Sequence, residues 1–399
     1  MWNPMRASRC LAAASITLAL SCDRGPTEPV RPDDAQSSAV KFWEAGSSVA
    51  WNQTARDLLA ARAVASPIAQ VRILAYLSVA QYNAVVAAED AKDGGRHASP
   101  AAAAGGASVV LLKSFFPADA ALLEATLAGQ LAAEPWPGAR NKDIASGEAL
   151  GRAVGADVVA YAATDNTNVL VPPPAPIGPA YWTSSLVPPA PSILGLYGTR
   201  PFALTSGDQF RPPPPPAFGS SEFLTALAEV RTLSDTRTPV QLAIAQFWAA
   251  RGPAYMNEVA AGLIIGHRRT EREAARILAL ANMAGFDATI GCFDAKFAYW
   301  LVRPSKIDPA ITLPVGLPNH PSYVSGHSCN TASYATVLAG AFPSESARLA
   351  AMIEEAGLSR MYGGLHYRFD CEAGQELGRR VARQVLGTAP TGHGAIPLD

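Results

Sequence analysis

The chain has 399 residues, enough for one large domain or two ordinary ones, and its 49% apolar content can build a full core. Thirty-two basic side chains face thirty-three acidic ones, and only 16% of residues are charged. That balance removes any general electrostatic basis for binding nucleic acid or an acidic membrane surface, so anion chemistry has to come from a local cluster.

The start, "MWNPMRASRCLAAASITLALSC", has arginines at 6 and 9 followed by an apolar run that is too short to span a bilayer. This is a secretory pattern. Its end, "LALSC" before Asp23, resembles the bacterial lipoprotein cleavage box, with Ala19 where leucine is more usual. The expectation is a signal peptide over 1–22, lipidation at Cys22, and a solvated Pro, Asp and Ser-rich tether over 23–44. Export would place the protein in the periplasm or on the cell surface, touching the membrane only through that anchor. Cys292, Cys329 and Cys371 remain in the mature chain; one disulfide and one free thiol would suit an oxidising compartment, with the pairing open.

From about 54 to 165, alanine-rich stretches such as "VRILAYLSVAQYNAVVAAED" place apolar residues at helical spacing and predict long buried helices. Residues 171–217 break this pattern with "VPPPAPIGPAYW", "VPPAPS" and "RPPPPPAF", a proline density that excludes helix interiors and central strands. Tyr181, Trp182 and Phe218 predict that this loop packs. Helical patterning resumes at about 221, and no stretch of any length carries a strand period. The predicted fold is all-α: two helical bundle-like halves, 45–220 and 221–390, joined by a long proline-rich crossing loop, with the chemistry in the second half.

Three segments carry that chemistry. In "KFAYWLVRP", Lys296 and Arg303 are seven residues apart, nearly two helical turns, so a helix ending at Arg303 before Pro304 would put both cations on one face. The apolar residues between them argue for burial, and buried cations need an anion. In "HPSYVSGHSCNTASYATVLAG", a Ser325-Gly326 turn feeds a helix whose free amides form an anion cradle, with His327 beside it. In "SRMYGGLHYRFD", a helix starting near His366 would set Asp370 one turn on, able to accept the imidazole Nδ1 proton and leave Nε2 as nucleophile or ligand, with Arg360 close by. Solvated cations, a capping histidine and a surface ion pair through Arg368 are the plainer alternatives for each segment taken alone. Together, three cations, two histidines, a hydroxyl and backbone amides suit a tetrahedral oxyanion. Ser-His-Asp acyl transfer is disfavoured because no G-x-S-x-G elbow is present. Zinc is disfavoured because the histidines lack i, i+4 spacing and three cations would repel it.

Lys296 to Arg303-Pro304, Ser325-Gly326-His327, and Ser359-Arg360 with His366 and Asp370 together resemble the three-part signature of the type 2 phosphatidic acid phosphatase (PAP2) and vanadium-dependent haloperoxidase superfamily, with Val324 in place of the usual proline. "ILAYLSVAQYNAVVAAED" and "PFALTSGDQFRPPPPPAF" resemble its soluble haloperoxidase-like branch. The resemblance implies a helical fold and vanadate as the cofactor, with His366 on vanadium and Lys296, Arg303, Ser325, Gly326 and Arg360 around its oxygens. It also implies His327 as acid-base group, Lys296 polarising hydrogen peroxide towards a halide, and His320 as a tuning histidine that favours bromide. The alternative is a phosphatase that needs no cofactor, in which His366 attacks a small phosphate ester and His327 protonates the leaving alcohol. A second alternative is a lipoprotein that binds an anion without turnover.

Overall fold

A computed structural model describes residues 46–64, 66–93, 96–133, 142–167, 169, 171–184, 196–390 and 394–398. The expected signal peptide over 1–22, Cys22 and the expected tether lie outside the described residues, as does the "VPPAPS" stretch of the crossing loop.

The first half holds α1 (Ser47–Ala61), α2 (Pro67–Asp90), α3 (Pro100–Phe115), α4 (Ala120–Ala132) and α5 (Ile144–Ala162). The second holds α6 (Ser221–Asp235), α7 (Pro239–Ala249), α8 (Pro253–Gly266), α9 (Glu271–Tyr299), the short α10 (Pro304–Ile307), α11 (Gly326–Ala341), α12 (Ser346–Tyr362) and α13 (Arg368–Thr388). Three strands of two or three residues sit at one edge: β1 (Lys92–Asp93) runs antiparallel to β2 (Arg96–Ala98), and β2 parallel to β3 (Lys142–Asp143). The fold is all-α.

Local chemistry sets several helix starts. Ser66-Pro67, Ser99-Pro100 and Thr238-Pro239 each pair a hydroxyl N-cap with a proline in the first turn, where its missing N–H costs nothing. α9 opens with a reciprocal capping box between Thr270 and Glu273. α2 and α9 are long and apolar enough to cross a membrane by length and composition, but nearly all of each is buried inside the molecule. They pack against each other as core helices, in a cluster that joins Val79, Tyr82 and Val85 of α2 to Leu278, Ala281 and Ala284 of α9 and Tyr334 of α11.

Close helix contacts depend on glycine. A Cβ on Gly151 of α5 would lie 2.0 Å from the Ala103 carbonyl oxygen of α3. On α13, a Cβ on Gly374 would lie 2.7 Å from the Ser325 carbonyl oxygen, and one on Gly378 2.3 Å from that of Cys329. These two glycines let the helix that follows His366 lie directly against the helix that starts at Gly326.

The proline-rich crossing is packed in part, while Val171 and Ile177 are exposed. Asp287 of α9, fully buried, accepts the backbone N–H groups of Phe202 (2.8 Å), Ala203 (2.7 Å) and Leu204 (3.2 Å). Tyr299 and Tyr323 donate their hydroxyls to the carbonyls of Pro212 (2.7 Å) and Pro213 (2.8 Å). Phe218 sits against Phe223, and the Trp182 indole stacks on Trp300 at 5.8 Å between centroids.

This last contact corrects the expected end of α9. The helix stops at Tyr299, because Trp300 takes a left-handed conformation with φ 52°. Its carbonyl then accepts the Trp182 N–H (2.6 Å), while Val302 donates to Ala180 (3.0 Å). Backbone pairing with the crossing loop therefore overrides the helical run of "FAYWLV". Arg303 lies beyond the helix and caps α10, so it does not share a helix face with Lys296.

Candidate active site

Lys296, His320, Gly326, His327, Arg360 and His366 all line one cavity of about 350 Å³, in the size range of small-molecule sites. Arg303, Ser325 and Asp370 lie directly behind this wall and are 0% exposed. The three motif segments thus converge on one place.

His366 sits just before α13, which begins at Arg368, two residues later than the sequence suggested. The expected pairing holds all the same, since His366 Nδ1 is 2.8 Å from Asp370 Oδ2. Arg303 Nη1, which can only donate, lies 2.9 Å from His366 Nε2. Nε2 is therefore the unprotonated nitrogen, and the proton rests on Nδ1 against the carboxylate. Burial holds the imidazole well below its ordinary pKa, and Arg303 and Lys296 push the same way. At neutral pH, His366 offers a lone pair covered only by a guanidinium.

Asp370 is held by more than the histidine. Its Oδ2 also accepts from the Ser322 hydroxyl (2.5 Å) and the Tyr367 N–H (3.2 Å), and its backbone carbonyl accepts the Ser325 N–H (2.9 Å). Burial raises its pKa to about 6, against the lowering by Ser322, Lys296 and Arg303.

Arg303 is fastened by the carbonyls of His320 (3.1 Å) and Leu365 (2.9 Å), and its Nη2 lies 3.1 Å from His320 Nδ1. Arg360 donates to Ser359 Oγ (3.0 Å) and to the Ala245 carbonyl (3.1 Å). Lys296 differs from the expectation of a side chain aimed at an oxyanion: its ammonium donates to the carbonyls of Pro321 (2.9 Å), Ser322 (2.9 Å) and Val324 (2.5 Å). Three hydrogens meet three acceptors, so here Lys296 acts through its charge and by bracing the segment before the cradle. Burial brings its pKa down to about 8.

Ser325 is the N-cap of α11; its hydroxyl accepts the Ser328 N–H (3.4 Å) and the Ser328 hydroxyl (3.0 Å). His327, in the first turn, has Nε2 3.1 Å from the Trp248 carbonyl, so Nε2 carries the proton and Nδ1 is the unprotonated nitrogen. Burial, and then Arg360, drive its pKa down to about 3. His320 packs edge-on against Phe293 at 5.4 Å. Among the described residues no disulfide braces the site: Cys292, Cys329 and Cys371 are all buried free thiols, not the one disulfide and one free thiol that an oxidising compartment would suit.

Sequence reasoning missed Ser322, which shares the Asp370 carboxylate with His366, and the corner between α7 and α8, where Trp248 holds His327. Ser322 is one of several serines around the motif with no spacing to single it out. Trp248 and Arg251 reach the site from a segment with no motif of its own, by tertiary packing alone.

Three buried cations face a single buried carboxylate, which already holds an imidazole proton. Such an excess of interior positive charge calls for a bound anion, and a helix N-terminus points at the same spot. The donors fit a tetrahedral oxyanion, vanadate or phosphate.

Residues 275–390 match the family model of the PAP2 superfamily. No curated protein matches the chain. Among solved structures, the chain is similar to a bacterial vanadium-dependent iodoperoxidase (TM-score 0.70, 24% identity), covering 91% of this chain and 98% of that one. It is also similar to a bacterial vanadium-dependent chloroperoxidase in its apo form (TM-score 0.65, 13% identity, 81% and 94% covered) and its holo form (TM-score 0.62, 12% identity, 89% and 95% covered). Residues 275–390 thus resemble the PAP2 superfamily, and over most of its length the chain has the fold of the bacterial vanadium haloperoxidases.

Proposed function

We propose that the protein is a vanadate-dependent haloperoxidase that oxidises bromide with hydrogen peroxide. The observation that carries this reading is the His366 Nε2 lone pair, fixed by Asp370 and surrounded by uncompensated buried cations. When bound, vanadate would supply the Lewis acidity that activates peroxide for halide attack. His366 would hold it through Nε2, Arg303 and Arg360 would neutralise its oxygens, and Lys296 would add charge from behind the segment 321–324. His327 Nδ1, neutral and unprotonated, would take up a proton as peroxide enters and return it to a leaving oxygen. His320, bonded to Arg303, is assigned the tuning of halide choice. The likeness to haloperoxidases across both halves, including helices outside the family segment, favours this reading over phosphate-ester hydrolysis.

The purified protein with added vanadate and peroxide is expected to oxidise bromide, with chloride, iodide and a generic phosphate ester assayed alongside. His366→Ala should abolish vanadate binding and turnover, and Asp370→Asn should be milder because it loosens the ring without deleting the ligand. Ester hydrolysis without halide oxidation would move the assignment to the phosphatase chemistry of the same cradle.

Export with a lipid on Cys22 is proposed on the short apolar run ending in "LSC". Cys22→Ser should release the protein from membranes; a wild-type protein that already fractionates as soluble would end this idea.

A further inference from the structure

The cations that make the cavity attractive to anions cannot reach solution. Lys296 and Arg303 are 0% exposed and Arg360 2%. Arg251 is different. It lines the same cavity from the corner between α7 and α8, yet it is exposed to solvent, which places it at the rim. It also lines a second, adjoining cavity of about 460 Å³, which shares Pro67, Ala249 and Gly252 with the first. Arg251 therefore stands where the two cavities adjoin.

Among the described residues, Arg251 makes no ion pair. Its guanidinium lies over two rings, 4.7 Å from the centroid of Phe247 and 5.4 Å from that of Tyr255. The carboxylates that line the second cavity have other partners: Glu258 lies 3.9 Å from Arg56, and Asp57 accepts from Gln53 at 2.7 Å. Aromatic faces orient a cation without cancelling its charge, whereas a carboxylate would neutralise it. We propose that Arg251 is the anion-capture residue of this site: it draws small inorganic anions, the halide substrate among them, to the rim and passes them inward to the buried cations. The halide part rests on the function proposed above; the capture of oxyanions does not.

The test uses the full chain with Arg251→Gln and Arg251→Lys. Stopped-flow association of vanadate with the metal-free protein, from about 10 mM to 1 M salt, spans screening lengths from about 30 Å down to about 3 Å. In dilute salt, Arg251→Gln should bind vanadate about three- to tenfold more slowly than wild type, the lower range of steering effects, and the gap should close at high salt. Arg251→Lys should stay near wild type. In turnover, Arg251→Gln should raise KM for bromide by a similar factor, leaving kcat and KM for neutral peroxide unchanged. The proposal is overturned if Arg251→Gln matches wild type in dilute salt, if its deficit persists at high salt, or if Arg251→Lys loses as much. An unchanged bromide KM overturns the halide part. The association measurement requires no turnover, so absence of halide oxidation in wild type would sink the proposed function and leave the Arg251 result to be judged by itself.

Discussion

His327 shows how one residue's environment sets its chemistry before any ligand arrives. Its Nε2 proton is committed to the Trp248 carbonyl, and burial beside Arg360 holds its pKa down to about 3. An oxyanion in the cradle brings negative charge that opposes Arg360 and raises that pKa; each unit regained corresponds to about 1.4 kcal/mol. The sign follows: the bound state favours the protonated imidazole, so anion binding takes up a proton between pH 3 and the bound-state pKa, and this contribution to affinity is lost as pH rises through the latter. Inorganic phosphate binding, measured calorimetrically in buffers of different ionisation enthalpy, should show proton uptake that is smaller in His327→Gln by the histidine's share. Equal uptake in the two proteins would remove His327 from the acid-base role. This histidine was legible in the sequence as part of Ser-Gly-His. Its tautomer was not, because the carbonyl that decides it belongs to residue 248, far from the motif.

At the scale of helices, the site exists because α13 and α11 touch. Gly374 and Gly378 leave room for the carbonyls of Ser325 and Cys329, and the Ser325 N–H bonds to the Asp370 carbonyl (2.9 Å) across the same contact. Gly378→Ala would force a methyl group onto a backbone oxygen that cannot move aside cheaply, costing about 1–3 kcal/mol. Gly387→Ala lies on the same helix with nothing within 4 Å of its Cβ, and should stabilise by up to about 1 kcal/mol. Urea midpoints of the two variants should move in opposite directions; a Gly378→Ala protein as stable as wild type would refute the close-packing argument. Apolar periodicity exposed the existence and length of these helices, as it did the long α2 and α9. What it could not expose was the end of α9. "FAYWLV" continues a helical pattern, and only pairing of residues 300–302 with the backbone of 180–182 turns the chain at Trp300. Lys296 and Arg303 therefore meet at the site by a route different from the shared helix face that their spacing implied.

Across the molecule, the two halves share one buried cluster that joins α2 to α9 and α11, beside another cluster that lies wholly within residues 51–162. Asn282 of α9 donates to Ser78 Oγ of α2 (2.9 Å) and accepts from Tyr334 of α11 (2.6 Å) and from Asn257 of α8 (2.8 Å). Asn257 in turn accepts from Asn52 of α1 (2.8 Å). All five side chains are buried, and the Asn282–Ser78 and Asn257–Asn52 bonds cross between the halves, so removing either half breaks both and opens this buried layer to water. It would also strip α2 from α9, the helix that carries Lys296 near its end, uncovering Leu278, Ala281 and Phe286. A fragment of residues 221–399, although it contains every proposed catalytic residue, is therefore expected to lack fixed tertiary structure: weak near-ultraviolet circular dichroism, no cooperative thermal transition and no vanadate binding. Asn282→Ala in the full chain should lower stability by on the order of 3 kcal/mol, since it removes the acceptor shared by the Tyr334 hydroxyl and one Asn257 amide hydrogen. If the fragment melts cooperatively and binds vanadate like the whole chain, the first half is an accessory to a self-sufficient domain, and the polar knot around Asn282 is a local packing feature with no part in assembling the site.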